Sequence, residues 1–269
     1  LTMSATPIPR TLAMSYFADL DVSVIDELPP GRTPIQTKLI STSRRHDVMA
    51  AIRKEIDAGR QAYWVCPLIE ESETLELQNA VATFEELAES LPGIVVGLVH
   101  GRLKPDEKAA VMAAFQQNVV QLLVATTVIE VGVDVPNASL MVIEHAERMG
   151  LAQLHQLRGR VGRGEHASRC VLLFEEPLSE IAKARLKVIY QHTDGFEIAR
   201  QDLHIRGPGE FLGARQSGAP LLRFADPERD AELLESAKHW APVLLEQHPD
   251  VVERHLARWL SGREQFLRA

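Results

Sequence analysis

The residues best suited to chemistry are two arginines, Arg160 and Arg163, in the segment QLHQLRGRVGRG at 153–164. An arginine side chain stays charged, and its planar fork binds phosphate oxygens through paired hydrogen bonds. Because residues three apart share a face of a helix, we expect both guanidinium groups to bind one anionic target. Gly159 and Gly162 would allow close approach of a backbone. Taken alone, the same run is also typical of an exposed basic helix end.

A second candidate segment is ATTVIEVGVDVPNAS, residues 125–139, which follows an apolar run typical of a strand. Parallel α/β sheets place ligands in the loops beyond the carboxyl ends of their strands. Thr126 and Thr127 offer hydroxyl groups for phosphates, and Gly132 permits tight backbone geometry. The carboxylate of Asp134 could bind a ribose or an arginine. Alternatively, the segment is only a turn in which Asp134 caps backbone amides.

A third segment, LVHGRLKPDEK at 98–108, places His100, Gly101 and Arg102 between a predicted strand and a predicted helix. The amino terminus of a helix presents free N–H groups and a positive partial charge, which favour phosphate. We therefore expect an anion to bind here. A histidine in a loop is otherwise an ordinary surface residue.

The elements that would hold these segments alternate along the chain. Five short apolar runs bounded by turn signals predict buried strands, and helix patterns lie between them. This alternation predicts an α/β fold with a parallel sheet over roughly 30–175. The predicted strands are 61–66, 94–100, 120–126, 139–145 and 169–175, and the predicted helices are 44–58, 77–91, one that begins near Lys104, 178–192, 196–204 and much of 227–260.

The net charge of −8 on 269 residues excludes a uniformly basic nucleic-acid binder and argues against adhesion to anionic membranes. The charge is unevenly distributed, because 66–95 and 224–253 are acidic whereas 148–223 is basic. The two cysteines, Cys66 and Cys170, lie far apart without a CxxC motif, so we expect neither a disulfide framework nor a metal site. Without an apolar run long enough for a membrane span, a cytoplasmic protein is predicted.

In their order and spacing, the three segments resemble the second RecA-like lobe of superfamily 2 helicases. SATPIPRT, which starts at Ser4, resembles motif III of that superfamily, VATTVIEVGVDVPNA resembles motif V, and HQLRGRVGR resembles motif VI. The resemblance implies a P-loop NTPase-like lobe, with helices on both faces of a parallel sheet. It also implies a motor that hydrolyses ATP and moves along nucleic acid.

The segment FEIARQDLHIRGPGEFLGARQSG, at 196–218, resembles the translocation motif that follows a helical hairpin in RecG-type branch-migrating helicases. A related motif occurs in transcription–repair coupling factors, which remain the alternative. A non-catalytic α/β interaction domain is the second alternative. The RecG resemblance implies a remnant of the first lobe with motif III at 1–28, the second lobe with motifs IV to VI at 29–175, the hairpin and translocation motif at 176–223, and a helical segment at 224–269.

The RecG resemblance also implies roles for individual residues. Arginine fingers would reach the triphosphate, other residues would line the nucleotide or hold DNA phosphates, and a third set would couple hydrolysis to DNA movement. The catalytic residues are Arg160 and Arg163; the ATP-binding residues are Gly132, Asp134 and Gln156; the DNA-binding residues are His100, Gly101, Arg102 and Thr126; and the coupling residues are Ser4, Thr6, Arg200, Gln201, Arg206 and Gln216.

The cofactors implied are ATP and Mg²⁺, and the partners are replication forks, Holliday junctions, a first RecA-like lobe and an N-terminal wedge of the same protein, in the bacterial cytoplasm. The sequence contains neither GxxxxGK[ST] nor a DExH-like tetrapeptide after a strand. We therefore expect the phosphate-binding loop and the Mg²⁺ ligands to precede Leu1. This chain alone should not hydrolyse ATP.

Overall fold

The computed structural model describes residues 34–67, 73–126, 135–164, 166–206 and 231–260. Two compact units contain them: the first includes every described residue up to Arg206, and the second includes 231–260. Several predicted features lie outside the described residues: the segment SATPIPRT that resembles motif III and the site residues Ser4, Thr6, Gly132, Asp134 and Gln216.

A parallel sheet of six strands forms the centre of the first unit. Its strands are β1 (Gln36–Ser41), β2 (Gln61–Cys66), β3 (Val96–Val99), β4 (Leu122–Thr126), β5 (Ala138–Ile143) and β6 (Arg169–Phe174). They lie in the order β1-β6-β5-β2-β4-β3, and every neighbouring pair is parallel. The chain therefore crosses from one side of β2 to the other between β4 and β5, the kind of switch point where α/β sheets bind ligands.

Helices connect the strands, as the alternation of patterns predicted. Those of the first unit are α1 (Arg45–Asp57), α2 (Glu73–Ser90), α3 (Pro105–Gln116), α4 (Leu151–Arg158), α5 (Glu180–Gln191) and α6 (Gly195–Arg206), and those of the second are α7 (Ala231–Gln247) and α8 (Pro249–Leu260). Short 3₁₀ turns, Thr42–Arg44 and Ala146–Arg148, precede α1 and α4. Helices α5 and α6 pack against α4, so they extend the lobe.

The central strands are apolar on both faces, which is why their sequences form continuous apolar runs. Every residue of β2, β4 and β5 is buried. Alternate residues of β2 join different cores: Tyr63 packs on one face of the sheet and Trp64 on the other. On its face, the Tyr63 ring meets Phe115 of α3 edge-on, with ring centroids 4.9 Å apart. The sheet is therefore clamped between two layers of helices.

A buried carboxylate fastens α1 to the amino-terminal edge of the sheet. Glu55 accepts hydrogen bonds from Arg60 Nε at 2.5 Å and from Ser139 Oγ, at the start of β5, at 2.7 Å. Burial opposes ionisation of Glu55, but these hydrogen bonds and the charges of Arg60 and Arg169 together outweigh it and lower the pKa of the carboxyl group. Glu55 is thus held as an anion, and its contacts fix the end of α1 next to β5.

The edge strand β1 was missing from the predicted elements. Its sequence, QTKLIS, alternates polar and apolar residues. Among the described strands it pairs only with β6, from Gln36 opposite Arg169 to Ser41 opposite Phe174. An edge strand is half solvated, so it does not form the continuous apolar run that revealed the central strands.

Both cysteines lie on strands of the sheet and both are buried free thiols. Burial raises the pKa of Cys66 to about 11 and the pKa of Cys170 to about 12. Neither thiol is therefore a nucleophile at neutral pH.

Candidate functional site

The predicted DNA-binding residues lie together at the carboxyl-terminal edge of the sheet. Val99 of β3 pairs with Ala125 of β4, and the two strands are parallel. The next residues along the chain, His100 just after β3 and Thr126 at the end of β4, are therefore neighbours. Two residues predicted from separate segments are thus brought side by side by the register of the sheet.

Both of these residues carry a buried polar atom without a hydrogen bond to any part of the chain that the structure describes. One is the hydroxyl oxygen of Thr126, whose residue is 3% exposed, and the other is Nδ1 of His100. Buried polar groups in native proteins nearly always have a partner, and an unmade hydrogen bond costs about 1–3 kcal/mol. The pair therefore has hydrogen-bonding capacity that a ligand at this edge could use.

The turn between β3 and α3 differs in one respect from the prediction. Gly101 and Arg102 are exposed in this turn, as a ligand-binding loop requires. However, the backbone N–H of Lys104, the residue before α3, donates to the Glu107 carboxylate at 3.1 Å, and Pro105 has no N–H to offer. The helix start is therefore partly capped by its own acid, and an anion at this edge would depend on side chains more than on free amides.

The loop that carries the two predicted arginine fingers lies at the opposite, amino-terminal edge of the sheet. It follows α4 and leads to Ser168, whose carbonyl accepts a hydrogen bond from the N–H of Gln36 at the start of β1 at 3.0 Å. The strands are about 15–20 Å long at a rise of about 3.3 Å per residue. The arginine loop and the His100–Thr126 pair are therefore separated by the length of the sheet.

The expectation that both arginines lie on a helix was wrong. Helix α4 ends at Arg158, and Arg160 and Arg163 lie beyond it in an irregular turn, both half-buried. The Nε of Arg163 donates to the carbonyl oxygen of Gly159 at 3.2 Å, which folds the side chain back over the turn. The glycines end the helix here, and the arginines are oriented by a loop.

Two glycines make this turn possible. Gly162 has a φ of 75°, in the left-handed region that side chains disfavour. Gly164 lies against Pro136, so that a Cβ built on it would stand 2.4 Å from the Pro136 carbonyl oxygen. Pro136 lies two residues before the start of β5 and belongs to the end of the segment resembling motif V. The ends of the segments that resemble motifs V and VI are thus in direct contact.

Sequence reasoning missed Arg158, the third arginine of the segment, which is only 3% exposed. Its Nη1 donates to the carbonyl oxygens of Ile189 at 2.7 Å and His192 at 2.8 Å. Its Nη2 lies 3.3 Å from the carbonyl oxygen of Thr193 and from Nδ1 of His155. Arg158 therefore faces the protein interior. Arg160 and Arg163, which were predicted to bind phosphate, are only half-buried.

On the same helix, His155 is partly buried, whereas Gln156, which was predicted to bind ATP, is exposed. Burial, reinforced by the charge of Arg158, lowers the pKa of His155 to about 4, against a smaller opposing effect of Asp194. The imidazole is therefore neutral at neutral pH.

Three of the predicted coupling residues lie on α6. Arg200 is exposed and pairs with Glu197 one turn earlier, at 2.8 Å between Nη1 and Oε2. Gln201 donates to the same carboxylate at 2.9 Å. Arg206 is the last residue of the helix. The structure thus gathers these residues on one helix, which packs against α4.

A further polar cluster at the carboxyl-terminal edge was not predicted. Arg45, the first residue of α1, bonds to Glu144 just after β5, pairs with Glu86 at 3.1 Å, and lies over the Trp64 ring at 4.5 Å. A pocket of about 280 Å³ is lined by Arg45, Glu86 and Glu144 together with Cys66 and Thr83. No sequence signal pointed to it, because its members come from four separate elements.

No helix among the described residues is long and apolar enough to cross a membrane.

Two family models match the chain. The helicase conserved C-terminal domain matches residues 45–165, and the family described as "ATP-dependent DNA helicase RecG, domain 3, C-terminal" matches residues 192–259. The first covers β2 to β5 with the arginine loop, and the second covers α6, α7 and most of α8.

Curated relatives named "ATP-dependent DNA helicase RecG" match along the chain. The protein of Acidithiobacillus ferridurans is 58% identical over 99% of this chain and 39% of its own length. The protein of Escherichia coli K12 is 58% identical over 100% of this chain and 39% of its own length. The protein of Bacillus subtilis is 51% identical over 91% of this chain and 36% of its own length.

A solved structure of RecG bound to a three-way DNA junction shares the fold, with a TM-score of 0.67 and 48% identity over 87% of this chain and 30% of that one. The predicted RecA-like helicase lobe is thereby confirmed. Between the two helicase families that the sequence resembles, the comparisons support RecG. The chain spans about 39% of the length of the first curated relatives it matches, and over that span it is similar to the ATP-dependent DNA helicases named RecG.

Proposed function

We propose that this chain forms the second motor lobe, with the translocation segment, of an ATP-dependent DNA helicase that remodels stalled replication forks and Holliday junctions in the bacterial cytoplasm. The observation that carries the proposal is the division of the sheet. The arginine loop occupies its amino-terminal edge. At the opposite edge lie the polar atoms of His100 and Thr126, which have no hydrogen bond to the described residues. One compact unit can thus contact nucleotide and DNA at separate places.

On the nucleotide side, Arg160 and Arg163 act as arginine fingers. ATP binds between this lobe and a first RecA-like lobe, and the two guanidinium groups stabilise the charge that develops on the transferred phosphoryl group. Gly132 and Asp134 line the nucleotide, and Gln156 links its state to the DNA side. The contact between Gly164 and Pro136 supports this arrangement, since it holds the two nucleotide-facing segments together.

On the DNA side, Arg102 supplies a positive charge, and His100, Gly101 and Thr126 supply hydrogen bonds to backbone phosphates. Contacts of this kind are independent of sequence and weaken as salt rises, because binding releases counterions from DNA. Closure of the lobes around ATP and reopening after hydrolysis then move the DNA stepwise. Ser4, Thr6, Arg200, Gln201, Arg206 and Gln216 transmit the lobe movement to the translocated duplex.

Mg²⁺ accompanies ATP in this proposal, and its protein ligands lie outside this chain. Within the described ranges, no group of three or more His, Cys, Asp or Glu side chains could hold a metal ion. The residues described here therefore do not fit a magnesium site, and no step is assigned to the metal. Because the sequence contains no GxxxxGK[ST], we expect no ATP hydrolysis from this chain by itself.

The test uses the full-length protein and compares Arg163→Ala with Arg148→Ala, an exposed arginine that precedes α4. We expect Arg163→Ala to reduce DNA-stimulated ATP hydrolysis by about 10³-fold or more, as loss of an arginine finger does. Binding to forked DNA should remain unchanged in both variants. Unchanged turnover in Arg163→Ala would refute the assignment of the finger, and failure of the wild-type protein to unwind forked DNA would refute the function.

A further inference from the structure

Arg158 forms a joint between the arginine loop and the helical pair α5–α6. Its guanidinium group binds three backbone carbonyl oxygens, those of Ile189, His192 and Thr193. These three residues form the last turn of α5 and the turn that leads into α6. A single side chain from α4 thus holds the end of one helix and the connection to the next.

The carbonyl groups at a helix carboxyl terminus have no intrahelical partners and carry a negative partial charge. The last turn of α5 contains no basic residue of its own. Arg158 supplies the missing positive charge and the missing donors from another helix. Its fork geometry suits this task, because several N–H groups point in fixed directions and reach several acceptors at once.

The position of Arg158 in the chain gives the joint its significance. It is the last residue of α4, and Arg160 follows two residues later in the half-buried turn. A shift of the arginine turn therefore acts on the end of α4, where the guanidinium group of Arg158 is hydrogen-bonded to the α5–α6 connection. Helix α6 in turn carries Arg200 and Gln201 and ends at Arg206.

We propose that Arg158 is a positioning residue, which transmits movement of the arginine loop to α6 and does not itself contact ATP or DNA. This inference rests on the proposed function of the lobe. It separates Arg158 from Arg160 and Arg163, although all three belong to one basic run of sequence. Loss of Arg158 uncouples ATP hydrolysis from DNA movement while the fingers still act.

The experiment measures DNA-stimulated ATP hydrolysis and unwinding of forked DNA by the full-length protein, for wild type, Arg158→Met, Arg158→Lys and the control Arg148→Met. Arg158→Met should keep kcat for ATP within about threefold of wild type. Its unwinding per ATP should fall by about tenfold or more, the equivalent of losing one charge-assisted hydrogen bond. Arg158→Lys keeps the charge without the fork, so its unwinding per ATP should fall to an intermediate value.

The other possible results of these measurements either support or overturn the proposed role of Arg158. A parallel loss of hydrolysis and unwinding in folded Arg158→Met would show a phosphate-binding or purely structural role and overturn the proposal. If Arg158→Met does not fold, Arg158→Lys decides: reduced unwinding per ATP supports the joint, and wild-type coupling overturns it. A wild-type protein without DNA-stimulated hydrolysis would instead refute the proposed function, independently of the variants.

Discussion

Gly164 lies so close to Pro136 that a Cβ at position 164 would stand 2.4 Å from the Pro136 carbonyl oxygen. The contact joins two segments that are almost thirty residues apart in the sequence and that both resemble nucleotide-facing helicase motifs. The obstructing atom belongs to the backbone, so it cannot move aside as a flexible side chain would.

Gly164→Ala should therefore force the two segments apart and destabilise the lobe by about 1–3 kcal/mol, as overpacking does. Gly159→Ala is the matched control, because its Cβ would meet the nearest atom at an ordinary 3.4 Å and its φ is −69°. Urea unfolding of the two variants measures the difference. Equal stability of Gly164→Ala and Gly159→Ala would contradict the close packing of the two segments.

The depressed pKa of His155 predicts a pH-dependent stability. Burial and the charge of Arg158 hold this pKa at about 4 in the folded lobe, below the ordinary histidine value of 6.5 and against an opposing effect of Asp194. The unfolded chain therefore binds the proton first, and stability is complete above pH 6.5 and falls as the pH drops toward 4.

We expect the loss of unfolding free energy across this window to be about 1–3 kcal/mol, since the ring is only partly buried. His155→Gln removes the titrating group, so its unfolding free energy should depend less on pH between 6.5 and 4. NMR titration of the His155 ring in the folded lobe measures the pKa directly. A value near 6.5 would rule out this origin of the pH dependence.

Arg102 should contribute one phosphate contact to DNA binding. Arg102→Ala is expected to weaken binding of DNA regardless of its sequence and to reduce the slope of log K against log salt by about one. Lys54→Ala is the control, because it removes an equal charge from the exposed last turn of α1, at the opposite edge of the sheet. Fluorescence anisotropy over a salt series provides the measurement. An equal effect of both substitutions would indicate only a general loss of charge.

Arg206, at the end of α6, should act after hydrolysis. In the full-length protein, Arg206→Ala is expected to hydrolyse ATP within about threefold of the wild-type rate and to unwind forked DNA poorly. Lys183→Ala, on the exposed face of α5, should change neither activity. Stopped-flow unwinding combined with a phosphate-release assay measures both quantities. Loss of hydrolysis itself would place Arg206 with the nucleotide-binding residues.

The central strands and most helices could be predicted because their patterns are local. The buried strand QAYWVC was predicted at 61–66 and observed as Gln61–Cys66. The end of α4 could not be predicted in this way, because Arg158 and Arg160 have the same residue type and Gly159 between them is compatible with a helix. The turn beyond α4 contains Gly162 and Gly164, which lie close to Ile35 and Pro136 outside the segment.

The candidate site, too, could be predicted from the sequence only in part. Residue types identified the candidates for phosphate binding, and the resemblance supplied their roles. The pairing of His100 with Thr126 at one edge required the strand order, which the sequence pattern does not encode. Arg158 was overlooked for a related reason: its acceptors are backbone carbonyl oxygens, and a backbone acceptor leaves no residue type to recognise.

Both native thiols of this chain are buried in the sheet, with pKa values of about 11 for Cys66 and about 12 for Cys170. Maleimides and other thiol reagents attack the thiolate at an accessible sulfur, so these two positions should remain unmodified in the folded lobe. A single cysteine introduced on an exposed helix face would then be the site of a fluorophore or spin label. The movement of α6 relative to the arginine loop could be followed by such probes without first replacing the native cysteines.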